Sequence, residues 1–208
     1  MALKLANIEV EIREISLHNK PTHMLQVSPK GTVPVLVFAD GSVIDESLAI
    51  MEWALTREGK CDALQGSLHQ AYSALILMND TEFKKNLDCY KYPEGNSEYN
   101  RQQAQLAYRQ QGEAFLQQLE LLLQQNTYLM QATISLADIA IFPFVRQFAA
   151  VDSAWFAQSA YQKLRTWLNA WIESELFISI MTKNPTYVGW FESVIRGRDL
   201  RAWFKGVI

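Results

Sequence analysis

Two hydrophobic rhythms divide the chain. Met1 to Ala6 is a run of strong helix formers, and Asn7 is suited to a left-handed C-cap, so the chain opens as the end of a helix. Ile8, Val10 and Ile12 then alternate with Glu9, Glu11 and Arg13, which predicts a half-buried strand at a sheet edge with its apolar side chains on one face. Pro21 to Gln26 reads as a short helical turn. Val33 to Phe38 reads as a buried strand, Asp40-Gly41 as a tight hairpin, and Glu46-Ser47 as the polar start of an apolar helix reaching about Glu58.

Beyond Gly59 the strand rhythm is lost. Cys61 to Ser67 is a connector, and Leu64 to about Tyr92 carries apolar residues at helical spacing, Leu75, Met78 and Leu87 among them, until Pro93-Glu94-Gly95-Asn96 breaks it. Ser97 to Gln125 is a long helix with Phe115, Leu116, Leu119, Leu122 and Leu123 on its dry side and glutamines on its wet side. Two such helices joined by a short loop predict an antiparallel hairpin. Ser135-Leu136-Ala137-Asp138 is an Asp version of the capping box, with Ile134 and Ile139 at the positions of a hydrophobic staple. The helix it starts is apolar nearly all round and is therefore the core helix of its domain. Tyr161 to Ile172 is a further helix, and the basic, aromatic tail from Trp190 to Lys205 is expected to pack over the helical domain. The pattern predicts α/β followed by all-α, with a mixed domain over residues 1–60 and a helical one over 61–208.

The charge changes the picture only by exclusion. A net charge of −3 over 208 residues, with both signs interspersed, leaves no footprint for nucleic acid or an anionic membrane surface. Cys61 and Cys89 are the two cysteines, the N-terminus has no secretory pattern, and no apolar run is long enough to cross a bilayer; a cytoplasmic protein with reduced thiols is expected. His18, His23 and His69 share no ligand-like spacing, so no metal site is expected.

The chemistry lies in Val27-Ser28-Pro29-Lys30-Gly31-Thr32-Val33-Pro34-Val35-Leu36 and Asp45-Glu46-Ser47. A proline before a strand beside a hairpin is often cis, which turns the preceding N–H and C=O away from the sheet, so Val33 could pair with an extended peptide as another strand would. The helix N-terminus at Ser47, with its hydroxyl, suits a carboxylate, and Glu46 can meet an amine. Each piece alone is ordinary: Val-Pro enters strands, Glu-Ser caps helices, Asp-Gly turns hairpins. Their order and spacing make a site.

These motifs, with His18-Asn19-Lys20-Pro21 and Ser135-Leu136-Ala137-Asp138, resemble the glutathione transferase superfamily, most closely its omega-type and related bacterial members, over Met1 to about Ile180. The resemblance implies a thioredoxin-like N-terminal domain that binds glutathione, an all-helical C-terminal domain, and a homodimer. It implies that Val33 binds the cysteinyl backbone, that Pro34 is cis, that Glu46 and Ser47 take the γ-glutamyl end, and that Lys20 reaches the glutathione backbone or its glycyl carboxylate. Glutathione would be co-substrate toward a small hydrophobic or disulfide substrate. The family also begins with a strand, lying between those predicted here around Ile8 and Val33, and with a catalytic cysteine, serine or tyrosine after it. Met-Ala-Leu-Lys-Leu-Ala-Asn matches the later part of the helix that follows, so the first strand is missing and the catalytic residue is expected upstream of Met1. Alternatively the Ile8 strand closes against the hairpin, or a second chain fills the gap. Cys61 and Cys89 lack the helix-start setting that activates a thiol and read as structural. Tyr72, Tyr90 and Tyr92, on the helix that the resemblance sets beside the second substrate, read as solvent-facing aromatics. A non-catalytic binding or interaction scaffold on the same fold is the alternative function.

Overall fold

The first helix, α1 (Ala2–Leu5), ends as its residues direct. Asn7 is left-handed (φ 53°), and the amides of Asn7 and Ile8 return to the carbonyls of Lys4 and Leu3 at 3.1 and 2.8 Å, a Schellman closure. Because Ile8 is used in that closure, strand β1 begins later than the alternation suggests, at Glu11–Ile15. This computed structural model describes residues 1–57, 67–95, 97–182 and, as backbone, 200–205.

After β1 come α2 (Thr22–Val27), β2 (Val35–Phe38), β3 (Val43–Asp45) and α3 (Ser47–Arg57). The hairpin between β2 and β3 is fixed by Asp40, whose carboxylate accepts from the Ser42 amide at 2.9 Å and the Ser42 hydroxyl at 2.6 Å. The chain divides into two compact units, Met1–Cys61 with Glu175–Ile208, and Asp62–Ser174. The first contains these elements, α10 (Glu175–Ile180) and a last strand, β4 (Leu200–Lys205).

That last strand corrects two expectations. The tail from Trp190 to Lys205, of which 190–199 lie outside the described residues, was expected to pack over the helical domain, and the sheet to have a gap; instead residues 200–205 enter the sheet, which runs β1-β4-β2-β3, with β4 parallel to β1 and antiparallel to β2. The slot is closed by the chain's own residues 200–205. The reason is the hydrogen-bond demand of an interior sheet position, where the facing edges of two strands must both be paired.

The phase of β1 is also the reverse of the expected one. Ile12 is 49% exposed while Arg13 and Ile15 are buried, at 7% and 4%. Arg13 can turn inward because Glu11 meets its guanidinium at 2.9 and 3.3 Å, leaving an apolar stem to pack. On that face Ile15, Met24, Val35 and Val37 form a core with Val27 and Val33 against it. Leu36 alternates to the other face and is fully buried. Helices α1 and α3 pack on each other, and Ala2, Leu3, Ile50 and Ala54 of these helices are buried.

The second unit is helical: α4 (Ser67–Met78), a π-helical turn (Asn79–Phe83), α5 (Lys84–Lys91), α6 (Glu98–Gln125), α7 (Leu136–Val151), α8 (Ser153–Gln158) and α9 (Gln162–Glu173). One helix was expected from Leu64 to Tyr92. The π turn interrupts it, adding a residue that shifts the apolar stripe, so that Met78 is partly exposed and Asn79, Phe83 and Leu87 are buried. Helices α5 and α6 pack side by side, as the predicted hairpin requires. Gly112 on α6 lets the Phe148 ring in: a Cβ there would lie 2.5 Å from it. Phe83, Phe115, Tyr90 and Phe148 stack around this point with ring centroids 4.8 to 5.2 Å apart.

Two buried carboxylates fix where helices begin. Asp138 completes the capping box with Ser135 and accepts from the Leu129 amide at 3.0 Å and the Trp167 indole at 2.9 Å, tying α7, α9 and the preceding loop to one group. Glu120 on α6 accepts from the Lys163 and Leu164 amides at 3.1 and 2.8 Å, capping the first turn of α9 from outside.

Asp138→Ala strips the acceptor from several buried donors at once and should cost about 3 kcal/mol in urea unfolding, against about 1 kcal/mol for Ser135→Ala, whose loss is that of a single cap. Burial, then its bond to Glu113 at 2.8 Å, pushes the Tyr161 phenol up to about 12. The stability this proton carries is present below the ordinary tyrosine range near 10 and is lost as pH rises through about 12. Tyrosinate absorbance during alkaline titration should lose its latest-titrating phenol in Tyr161→Phe.

Candidate functional site

The register of the hairpin builds the site. Val35 pairs with Asp45, Leu36 with Ile44 and Val37 with Val43, so the ladder ends at Val35 and Asp45, with Val33-Pro34 just before the one and Glu46-Ser47 just after the other. The dipeptide and the start of α3 therefore meet at one end of the sheet. The Val33-Pro34 bond is cis, as the sequence leads one to expect. Val33 lies ahead of β2, and among the described residues no backbone group bonds its N–H or C=O.

Glu46 is left-handed (φ 74°), which turns the chain sharply from β3 into α3. Such a backbone costs a residue with a side chain about 1–2 kcal/mol and is tolerated where the surroundings impose it. Beyond it the first amides of the 11-residue α3 have no acceptor within their own helix, and the exposed Ser47 hydroxyl stands at that positive end.

Charges surround the junction. Lys30 bonds Asp45 at 3.0 Å and Glu46 at 3.5 Å, and the bond to Asp45, ahead of the two carboxylate charges, holds its ammonium above the ordinary lysine range. The Glu46 carboxylate thus already faces one ammonium and is exposed enough to take another in its place. Lys20 lies over Gly31, its Nζ 3.5 Å from where a Cβ on that residue would stand. Gly31 is left-handed (φ 62°), and a Cβ would also meet Leu25 at 3.1 Å, so a side chain there is strained by its backbone and crowded by Leu25.

Of the residues singled out in the sequence, Val33, Pro34, Glu46 and Ser47 share one end of the sheet, and Lys20 borders the loop that leads there. Lys30 and Asp45 stand in the same motif and were not singled out; the signal was the alternation of charge about the hairpin, which brings i and i+15 together only through the register. The strand β4 was missed altogether.

Residues 1–57 match the family model of the glutathione S-transferase N-terminal domain, and residues 98–170 that of the glutathione S-transferase C-terminal domain. The chain belongs to the glutathione S-transferase superfamily. Solved structures agree in fold. BphK, a bacterial glutathione S-transferase, is 23% identical with a TM-score of 0.69, over 86% of this chain and 88% of that one. A glutathione transferase family member from Pseudomonas fluorescens pf-5, solved with two glutathione bound, is 17% identical with a TM-score of 0.71, over 86% and 84%. One from Burkholderia graminis, with two glutathione molecules per subunit, is 17% identical with a TM-score of 0.70, over 86% and 79%. Curated protein sequences give no match.

Other candidates separate. Tyr72 and Tyr90 are buried, not solvent-facing, because both rings are built into the helical core; Tyr92 is 72% exposed. Cys89 is half-buried on α5, and Cys61 lies outside the described residues. Among the described residues no three His, Cys, Asp or Glu side chains cluster as metal ligands, and no helix is long and apolar enough to cross a membrane.

Gly31→Ala should lower stability by about 1–2 kcal/mol in denaturant unfolding, from the left-handed backbone and the crowding of Leu25 and Lys20 together. Gly41→Ala, also left-handed but with nothing within 4 Å, isolates the backbone share alone.

Proposed function

We propose that this chain binds glutathione at the Val33–Ser47 end of its first unit and presents the thiol to a small electrophilic or disulfide substrate. The observation that carries the reading is the end of the β2–β3 ladder at Val35 and Asp45: the main-chain groups of Val33 and the first amides of α3 both lie just beyond it, at the same end of the sheet. The residues fit the ligand. An extended tripeptide can pair with Val33 as a strand would, its γ-glutamyl carboxylate can accept from the α3 amides and the Ser47 hydroxyl, and its ammonium can displace that of Lys30 from Glu46. Lys20 supplies a cation at the other side of the loop for the backbone or glycyl carboxylate. Glutathione bound there supplies a sulfur nucleophile or reductant, and the residues named hold and orient it.

In this reading residues 1–60 carry the glutathione site, in a unit completed by residues 175–208, and residues 62–174 make the helical part. A cytoplasmic homodimer is the setting that suits such chemistry, since reduced glutathione is abundant where thiols stay reduced. A cysteine, serine or tyrosine next to the sulfur would set the choice between thiol exchange and conjugation, because a thiolate partner exchanges disulfides while a hydroxyl stabilises the glutathione thiolate.

Retention on glutathione-agarose and calorimetric titration with glutathione test this. The unaltered chain should bind, and Ser47→Ala should weaken binding by roughly tenfold, the loss of one hydrogen bond to a charged group. Equal binding by Ser47→Ala would remove this account of the site, and a folded chain that ignores glutathione would favour the interaction scaffold.

A further inference from the structure

The strand β4 reaches the candidate site from the far end of the sequence. Its ladder with β2 pairs Phe38 with Leu200, Val37 with Arg201, Leu36 with Ala202 and Val35, two residues after Val33, with Trp203. Its ladder with β1 pairs Ile15 with Lys205. The leading end of β4 is thus delivered to the edge of the peptide-binding dipeptide, and β4 is what joins the Val33 hairpin to β1. Without it, β1 and β2 would stand about 10 Å apart, twice the strand spacing, with unpaired groups on both facing edges.

We propose that Leu200–Lys205 is a closing strand for the glutathione site: its insertion between β1 and β2 fixes the position of Val33 and so sets glutathione affinity, and glutathione in turn holds the strand in place. The second half follows from the first, since two binding events that share one conformation must favour each other equally. The inference rests on the glutathione reading above for the identity of the ligand, while the placement of the strand rests on the ladders alone. Binding is thereby linked to a segment distant in sequence from both strands that it joins.

The test uses the full chain with Cys61 and Cys89 changed to serine. Leu36→Cys with Ala202→Cys joins a registered pair across the β2–β4 ladder, and Ile12→Cys with Ala202→Cys does so across β1–β4 from an exposed position that folding tolerates. Oxidation should give a disulfide within one chain for each, read by mass and non-reducing electrophoresis, whereas Leu36→Cys with Arg201→Cys, out of register by one, should not. S-methylglutathione, which has no free thiol to exchange with the disulfide, should speed formation of the registered link. Ala202→Pro, which removes a ladder donor from an interior strand, should weaken glutathione binding at least about tenfold, within the range of ordinary coupling energies, while the helical unit keeps its helical circular dichroism. Links that form only between chains, or in neither registered pair, would overturn the closing strand. Unchanged affinity in Ala202→Pro would overturn its role in binding. Links within one chain together with no glutathione binding by the unaltered protein would overturn the ligand reading and the coupling, and leave the strand where the ladders place it.

Discussion

An interior strand position cannot be left empty. The first unit is organised around that constraint: β1 and β2 each present a facing edge, and β4 pairs both, one parallel and one antiparallel. With β4 in place, β2 is held along its whole length, the β2–β3 hairpin is held with it, and the left-handed Glu46 can deliver α3 at a fixed height beside Val33. The candidate site is therefore a product of strand register. Its side chains are few, and its main-chain groups are many.

The helical unit meets an analogous demand differently. Helix starts leave amides without acceptors, and here two are capped by carboxylates that lie far away in sequence or serve several donors: Glu120 reaches α9 across more than forty residues, and Asp138 binds its own helix start, the Leu129 loop and the Trp167 indole. Each carboxylate is buried, so each is stable only while its donors stay in place. Helix position and helix capping thus enforce each other, which suits a unit whose aromatic core is packed closely enough for one glycine to admit a ring.

What was legible in the sequence was local. The Asn7 cap, the Asp40 turn, the Ser135–Asp138 box and the Val33-Pro34 entry each announce themselves within a few residues, because the group that satisfies the backbone stands next to the backbone it satisfies. The failures are equally physical. Ile8, Val10 and Ile12 suggested one buried face, but an ion pair between Glu11 and Arg13 let the charged residue turn inward, and no periodicity reports that. Leu-Arg-Ala-Trp-Phe-Lys lacks clean alternation, and its basic and aromatic residues read as a tail. The signal that could have found it was the gap itself: a predicted unpaired slot calls for a strand, and a short segment between Asp199 and Gly206 has the length of one.

The fold itself persists among solved structures only 17% to 23% identical to this chain. A site made of an unpaired amide, a carbonyl and a helix start asks little of side-chain identity and much of register. On the glutathione reading proposed above, affinity depends on sheet closure, because the hairpin that carries Val33 is held by β4. A ligand that binds only the closed sheet must stabilise it by RT ln(1 + [L]/Kd), about 2.7 kcal/mol at a hundred times its dissociation constant. At the glutathione concentrations such a site would meet, ligand and strand would therefore hold the sheet jointly, and the integrity of the first unit would be a property of the complex as much as of the chain.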